Sequence, residues 1–320
     1  MSHQQTPKKI TFLMLVTNRD CMIADFCIKS YQKIYAAKKS FGHQEFTLLI
    51  YLNNLSEENK EKYLQKWSSY PFTAIYDNAE KLEAMTEKPY PGQIKLSPEG
   101  IPRNTEDFTE SCDELWTTEP KKLTTPYIAL VDADFEILDP AFYFALINRL
   151  DTDHQAIGAS SCYSASSLTP TVDTYSGRHI LYKERNHTWF CIYKKEAFER
   201  SQASHFYFEE KMPDGQLLIY DSAAYFQHSL RQQGYTFLHS PPSYFGAYVH
   251  YGASSKNQSL NSSNIGLYRK AFILTYKGLF THTKFLWARM ANRFIRKVSN
   301  FFFGSYLAAK RKERGVYVTS

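Results

Sequence analysis

The 320-residue chain has no apolar run approaching the ~20 residues that a membrane-crossing helix requires, so an integral membrane fold is not expected. Its first nine residues are polar and no signal-type apolar region follows them, which predicts a chain that stays cytosolic. On that expectation the Asn-x-Ser/Thr triplets at Asn186, Asn257 and Asn261 carry no glycosylation meaning. Cysteine is scarce and odd in number: Cys21, Cys27, Cys112, Cys162 and Cys191, with no Cys-x-x-Cys. That pattern excludes a disulfide framework and a structural zinc site as organising elements. No internal repeat is present, which removes solenoids and propellers. What remains is an ordinary globular balance, 43% hydrophobic and 22% charged, enough for one large domain or two modest ones. Aromatics are abundant at 16%, which predicts aromatic surface as well as core.

Acidic residues are nearly missing from one region. Between Tyr268 and Arg314 there are twelve Lys and Arg against Glu313 alone, while the rest of the chain holds 26 basic and 31 acidic residues. A mildly acidic body therefore carries a basic tail. Met290, Phe294, Ile295 and Val298 recur at three- and four-residue spacing, with Arg289, Arg293, Arg296 and Lys297 between them. This is the pattern of a basic amphipathic helix, which lies in the interface of an anionic membrane with its aromatics at the acyl boundary. The bland alternative is a helix that docks on the body and shows a basic outer face. No recognition-helix pattern or RNA-binding aromatic signature accompanies the charge, so nucleic acid is not an expected partner.

The body alternates buried strands with amphipathic helices. Ile10–Thr17, Phe46–Leu52, Phe72–Tyr76 and Tyr127–Val131 are short apolar runs that read as strands. Residues 22–38 have helical periodicity, and Ser56 opens a polar helix through Trp67. Strand–helix–strand order with short connections implies parallel pairing in an α/β layer fold. Residues 86–103, rich in Pro and Gly, read as a surface loop, and residues 105–119 as a helix. Further strands are expected at 156–159, 189–193, 235–238 and 248–251, with helices at 194–200 and 221–233, the second stopped by Gly234. Residues 160–178, rich in Ser and Thr, read as a mobile excursion, a lid or acceptor loop.

Ligands of open α/β sheets bind beyond the carboxyl ends of the strands. Asp132 and Asp134 stand there, after YIALV, and two carboxylates one residue apart can turn toward a common Mg²⁺ or Mn²⁺. In its sequence context this segment, PYIALVDADFEILDP, resembles the Asp-x-Asp stretch of glycosyltransferases of the GT-A fold, family-2-like. ITFLMLVTNR is similar to their nucleotide-binding start, FTLLIYLNN to their second strand, and LYKERNHTWFCIYKKEAFE to the acceptor-side strand and helix. MPDGQLLIYDSAAYFQHSLRQQGYTF is similar to the segment with an acidic residue before a helix, and AYVHYGAS to the late segment with a metal-ligating His. The pieces follow the family's order over roughly residues 10–260.

The resemblance implies a GT-A-like, mostly parallel α/β catalytic domain at 1–265, with a nucleotide-sugar half about 10–140 and an acceptor half about 141–265; the basic, aromatic pattern sets off residues 266–320 as a helical tail. The resemblance also implies transfer from a nucleotide-sugar, UDP-sugar favoured, to a hydroxyl acceptor; the membrane reading of residues 268–314 adds the expectation that this acceptor is a glycan or lipid-linked precursor at an anionic membrane surface. Asp134 and His250 would ligate Mn²⁺ or Mg²⁺, and Asp132 would reach the metal shell or the ribose. Thr17 and Asn53 would contact the nucleotide, Thr17 largely through its backbone, and Arg19 and Arg103 its phosphates. Asp221 would be the base of an inverting displacement, taking the proton of the acceptor hydroxyl. Its bland reading is an N-cap, and Asp214 is the alternative base. Tyr220 stands where many inverting members have Glu, and Arg103-Asn104 lies further upstream than the family's Arg-Asn pair. The competing readings are a non-catalytic relative that binds a membrane or a partner, and a haloacid-dehalogenase-type phosphatase. The latter fits less well because Asp132 is mid-chain and Glu136 stands where Thr or Val is usual.

Overall fold

The structure is a computed structural model describing residues 9–18, 20–37, 45–53, 55–77, 114–161, 163–164, 171–172, 179–181, 185–201, 203, 205, 208–211, 213, 217–220, 223–240, 247–251, 265–266 and 269. Arg19, Arg103, Asp214, Asp221 and residues 270–320 lie outside the described residues, as do the loop at 86–103 and the first part of the expected helix at 105–119.

The first half repeats one unit. β1 (Lys9–Thr17) is followed by α1 (Cys21–Ser30) and α2 (Gln32–Ala37), β2 (Glu45–Asn53) by α3 (Glu57–Ser68), and β3 (Thr73–Asp77) closes the run. A π-helical turn at Glu114–Thr118 runs into α4 (Glu119–Lys122), which leads to β4 (Tyr127–Asp132), β5 (Phe135–Ile137), α5 (Ala141–Thr152) and β6 (Ala156–Ser160). The second half contains the short strands β7 (Tyr163–Ser164), β8 (Thr171–Val172), β9 (His179–Leu181) and β10 (Arg185–Asn186), then β11 (Phe190–Lys194) and α6 (Glu196–Arg200). It ends with β12 (Phe208–Lys211), β13 (Leu217–Tyr220), α7 (Ala224–Gln232), β14 (Thr236–His239) and β15 (Tyr248–His250).

Seven strands form the main sheet in the order β14-β6-β11-β4-β1-β2-β3, parallel throughout except for β11. β1 explains why apolar runs rather than alternating patterns mark the central strands. Phe12, Met14 and Val16 enter the core on one face, Leu13 and Leu15 the core on the other, and all five are buried. The chain winds outward from β1 to β3 and then returns to place β4 on the other side of β1. The direction of winding therefore reverses between β1 and β4, and an open α/β sheet presents its binding crevice at that switch point. Thr17 ends β1 and Asp132 ends β4.

Local chemistry sets the element boundaries. Ser56 caps α3 by accepting from Asn59 N at 3.4 Å, and Glu57 and Glu58 follow in the first turn, where negative charge suits the helix dipole. The helix expected at 22–38 is instead two helices. Ser30 donates its hydroxyl to Cys27 O at 2.6 Å and accepts from Ile137 N at 2.9 Å, and the Tyr31 amide closes the first helix on Ile28 O. The helix expected from Asp221 begins only at Ala224. Its N-cap is Ala223 in the left-handed region (φ 63), with its amide bound to His205 O. At the other end Gly234, φ 90, closes α7 as anticipated: its amide reaches Arg231 O and that of Tyr235 reaches Leu230 O, the paired bonds of a glycine-terminated helix. The excursion at 160–178 contains two short strands, β7 paired with β10 and β8 with β9. β9 also joins β13 and β12 in a second, four-stranded sheet.

Candidate metal centre

The Asp-x-Asp segment is a strand end followed by a tight turn. β4 delivers Asp132, Ala133 and Asp134 form the turn, and β5 takes over at Phe135. Both carboxylates are thereby held on backbone that is hydrogen-bonded on either side. Asp132 N donates to Trp189 O at 3.0 Å, and Asp134 O accepts from Tyr251 N at 3.0 Å. β15 pairs antiparallel with β5, setting His250 opposite Phe135. This pairing brings in the third group, more than a hundred residues away in sequence. His250 Nε2 lies 3.1 Å from Asp134 Oδ1 and 3.3 Å from Asp132 Oδ2. One ligand atom from each of the three residues lies within 4.8 Å of the others.

The electrostatics suit a cation. Burial alone would push the His250 pKa down, but its bonds to Asp132 and Asp134 and their negative charge outweigh burial and raise it to about 9. An imidazolium at this position meets the same two acids that a divalent ion would neutralise. The donor set fits such an ion: two carboxylate oxygens and one imidazole nitrogen on one side leave the other side to water and substrate oxygens. The nitrogen donor favours Mn²⁺ over Mg²⁺, whose preference is for an all-oxygen shell.

The support beneath the centre is aromatic. Phe135 stacks on Phe190 and on Tyr248, with centroids 5.0 Å apart in both pairs, and Phe142 packs against the last two. Trp189 stacks on the His250 ring at 4.1 Å and on the His187 ring at 4.4 Å. The flat stack limits rotation of the His250 ring and directs its Nε2 at the carboxylates. The sequence marks Trp189 only as the start of the strand expected at 189–193. The signal for its role is its place just before β11, the strand antiparallel to β4, which aligns its carbonyl with Asp132.

Across the crevice, Asn53 is buried and pairs in register with Thr17 at the ends of β2 and β1. Thr17 donates its hydroxyl to Asp20 Oδ2 at 2.6 Å, and its carbonyl accepts from Asp20 N at 3.0 Å and Cys21 Sγ at 3.3 Å. Asn18, not singled out in the sequence, accepts from Ser56 N at 2.7 Å and Asn59 Nδ2 at 3.1 Å, tying the end of β1 to the start of α3. In the second half, Gln227 bridges Asn186 O and the Tyr193 hydroxyl, each at 3.0 Å, and Tyr193 meets His205 Nε2 at 2.9 Å. Burial, reinforced by the charge of Arg185, lowers the His205 pKa to about 3, and the network ties α7 and β10 to β11.

Fold and site together define the class: an α/β protein with an Asp/Asp/His centre at the switch point of its sheet. No family model matches the chain, and no curated protein matches its sequence. Among solved structures it is similar to the mannosyltransferase PcManGT from Pyrobaculum calidifontis in complex with GDP-Man and Mn²⁺, at 10% identity and TM-score 0.43, covering 98% of this chain and 82% of that one. It is similar to glucosyl-3-phosphoglycerate synthase from Mycobacterium tuberculosis with Mg²⁺ and UDP, at 11% identity and TM-score 0.40, covering 85% and 80%. It is also similar to 4-diphosphocytidyl-2C-methyl-D-erythritol synthase from Anaerococcus prevotii, at 9% identity and TM-score 0.37, covering 82% and 96%.

Proposed function

We propose that the chain is a metal-dependent glycosyltransferase that moves a sugar from a nucleotide-sugar to a hydroxyl acceptor. The observation that carries this reading is the Asp132/Asp134/His250 centre at the end of β4, beside the crevice floored by Thr17 and Asn53. A divalent ion bound there supplies the charge that stabilises a departing nucleoside diphosphate. Asp134 and His250 hold that ion and Asp132 completes its shell or meets the ribose. Thr17 and Asn53 bound the nucleotide pocket, with Arg103 as a phosphate partner. Asp221, following β13, takes the proton of the acceptor hydroxyl as its oxygen bonds to the anomeric carbon and the bond to the diphosphate breaks, which inverts the centre.

The donor proposed is a UDP-sugar and the acceptor a glycan or lipid-linked precursor presented at an anionic membrane surface. In this reading residues 1–265 are the catalytic body and residues 266–320 the tail that brings it to the surface.

The test is calorimetric titration of UDP, GDP, CMP and dTDP with and without Mn²⁺. Manganese-dependent binding of one nucleotide, abolished by Asp134→Ala in a protein that still folds, is the expected result. A folded protein that binds none of them rejects the reading in favour of a non-catalytic relative.

A further inference from the structure

Behind the metal centre lies a second charged group with no assigned role. Glu136 occupies the middle of β5, two residues after Asp134, and its side chain is only 2% exposed. Arg269 grips it with two nitrogens: Nε donates to Oε2 at 2.9 Å and Nη2 donates to Oε1. The Tyr251 hydroxyl donates to the same Oε2 at 2.8 Å. Glu136 is thus clamped by the residue next to His250 and by the first arginine of the basic C-terminal region. The guanidinium also lies 4.7 Å over the Phe26 ring of α1, and Ile265 packs with Ile23, Cys27, Val249 and Tyr251.

An apolar residue would suit a three-residue strand that is buried at every position. Replacing a buried ion pair by apolar residues is often neutral or stabilising, so such a pair is poorly explained by stability alone. A bidentate carboxylate–guanidinium pair does supply one fixed geometry. Here it fixes one seat for Arg269 on the body. Glu136 pairs with Val249 and Phe135 with His250, so by strand alternation that seat is the face of the β5/β15 ribbon opposite the one carrying His250.

We infer that Arg269 is a positioning residue for the metal centre: by clamping Glu136 and, through it, Tyr251, it holds β15 in register on β5 and so holds His250 against Asp132 and Asp134. Metal affinity then depends on whether the start of the C-terminal region is seated. This rests on the metal-site reading above and extends it to the control of that site.

The experiment is calorimetric titration of Mn²⁺ into the full-length chain and its variants, with circular dichroism to monitor folding. Arg269→Ala should weaken Mn²⁺ binding at least tenfold, and Arg269→Lys, which keeps the charge but not the fork, should recover part of the loss. If Arg269→Ala does not fold, the double variant Glu136→Met/Arg269→Met removes both charges together. It should fold and still bind Mn²⁺ at least tenfold more weakly. Wild-type affinity in either folded variant overturns the inference. Asp134→Ala separates the two readings: if it abolishes binding while the Arg269 variants do not weaken it, only the positioning role fails. If Asp134→Ala binds normally, the metal-site reading fails and the positioning role with it.

Discussion

At the scale of single residues, the centre competes with its own proton. His250 gains two carboxylate partners on folding and its pKa rises from 6.5 to about 9. A raised pKa favours the folded protein most below pH 6.5, and that contribution is lost as pH climbs through about 9. The metal-free protein should therefore lose stability across that window. Metal binding has the opposite sign, because His250 must surrender its proton to ligate. Mn²⁺ affinity should rise about tenfold per pH unit near neutrality and level off near pH 9, with about one proton released per ion at pH 7. Calorimetry in buffers of different ionisation enthalpy measures that proton, and His250→Gln should abolish its release. Asp132 and Asp134 were legible in the sequence because adjacency along the chain and a preceding apolar strand are local features. The stacking of Trp189 on His250 was not, because it depends on where β11 and β15 meet β4 and β5.

At the scale of elements, the long, strongly patterned units were readable and the short ones were not. Sequence expectation and structure agree closely on β1, β2, β3, β4 and α3, where burial on both faces or a capped polar helix leaves a clear trace. α5 is absent from the expectations although Phe142, Leu146 and Leu150 recur every four residues and are all buried. The two- and three-residue strands around β9 and β10 carry too few residues for any periodicity to appear. Packing of β6 also turns on a residue that pattern passes over. A Cβ at Gly158 would sit 2.8 Å from the Phe237 ring and 3.0 Å from that of Tyr193. Gly158→Ala should force those rings off their seats and cost about 1–3 kcal/mol, read as a lower urea midpoint. Unchanged stability would mean that β14 gives way more easily than the packing implies.

At the scale of the whole molecule, Arg269 changes how the basic C-terminal region is read. It is the first of the twelve basic residues that led to the membrane proposal, and its charge is taken up by Glu136 on the body. Docking and membrane contact are compatible, but removing residues 268–320 would also remove the clamp, so deletion is the wrong test of membrane binding. Replacing Arg289, Arg293, Arg296 and Lys297 by Gln leaves the clamp in place. That variant should lose most of its binding to vesicles containing anionic lipid while keeping its Mn²⁺ affinity, since basic residues near such a surface contribute about 1 kcal/mol each. Undiminished vesicle binding would reject the membrane role. Among the described residues no helix is long and apolar enough to cross a bilayer.

By itself the sequence determined the α/β class, the parallel pairing of the first strands and the position of the two aspartates at a strand end. Each of these follows from periodicity, short connections and nearest neighbours along the chain. Only the tertiary structure decided the distances at which His250 meets both aspartates, that Trp189 stacks against it, and that Glu136 is paired with Arg269. The physical reason is the same in each case. These contacts join segments separated by tens to more than a hundred residues, and their geometry is set by strand order and register. Neither leaves a mark on the local pattern of residue types.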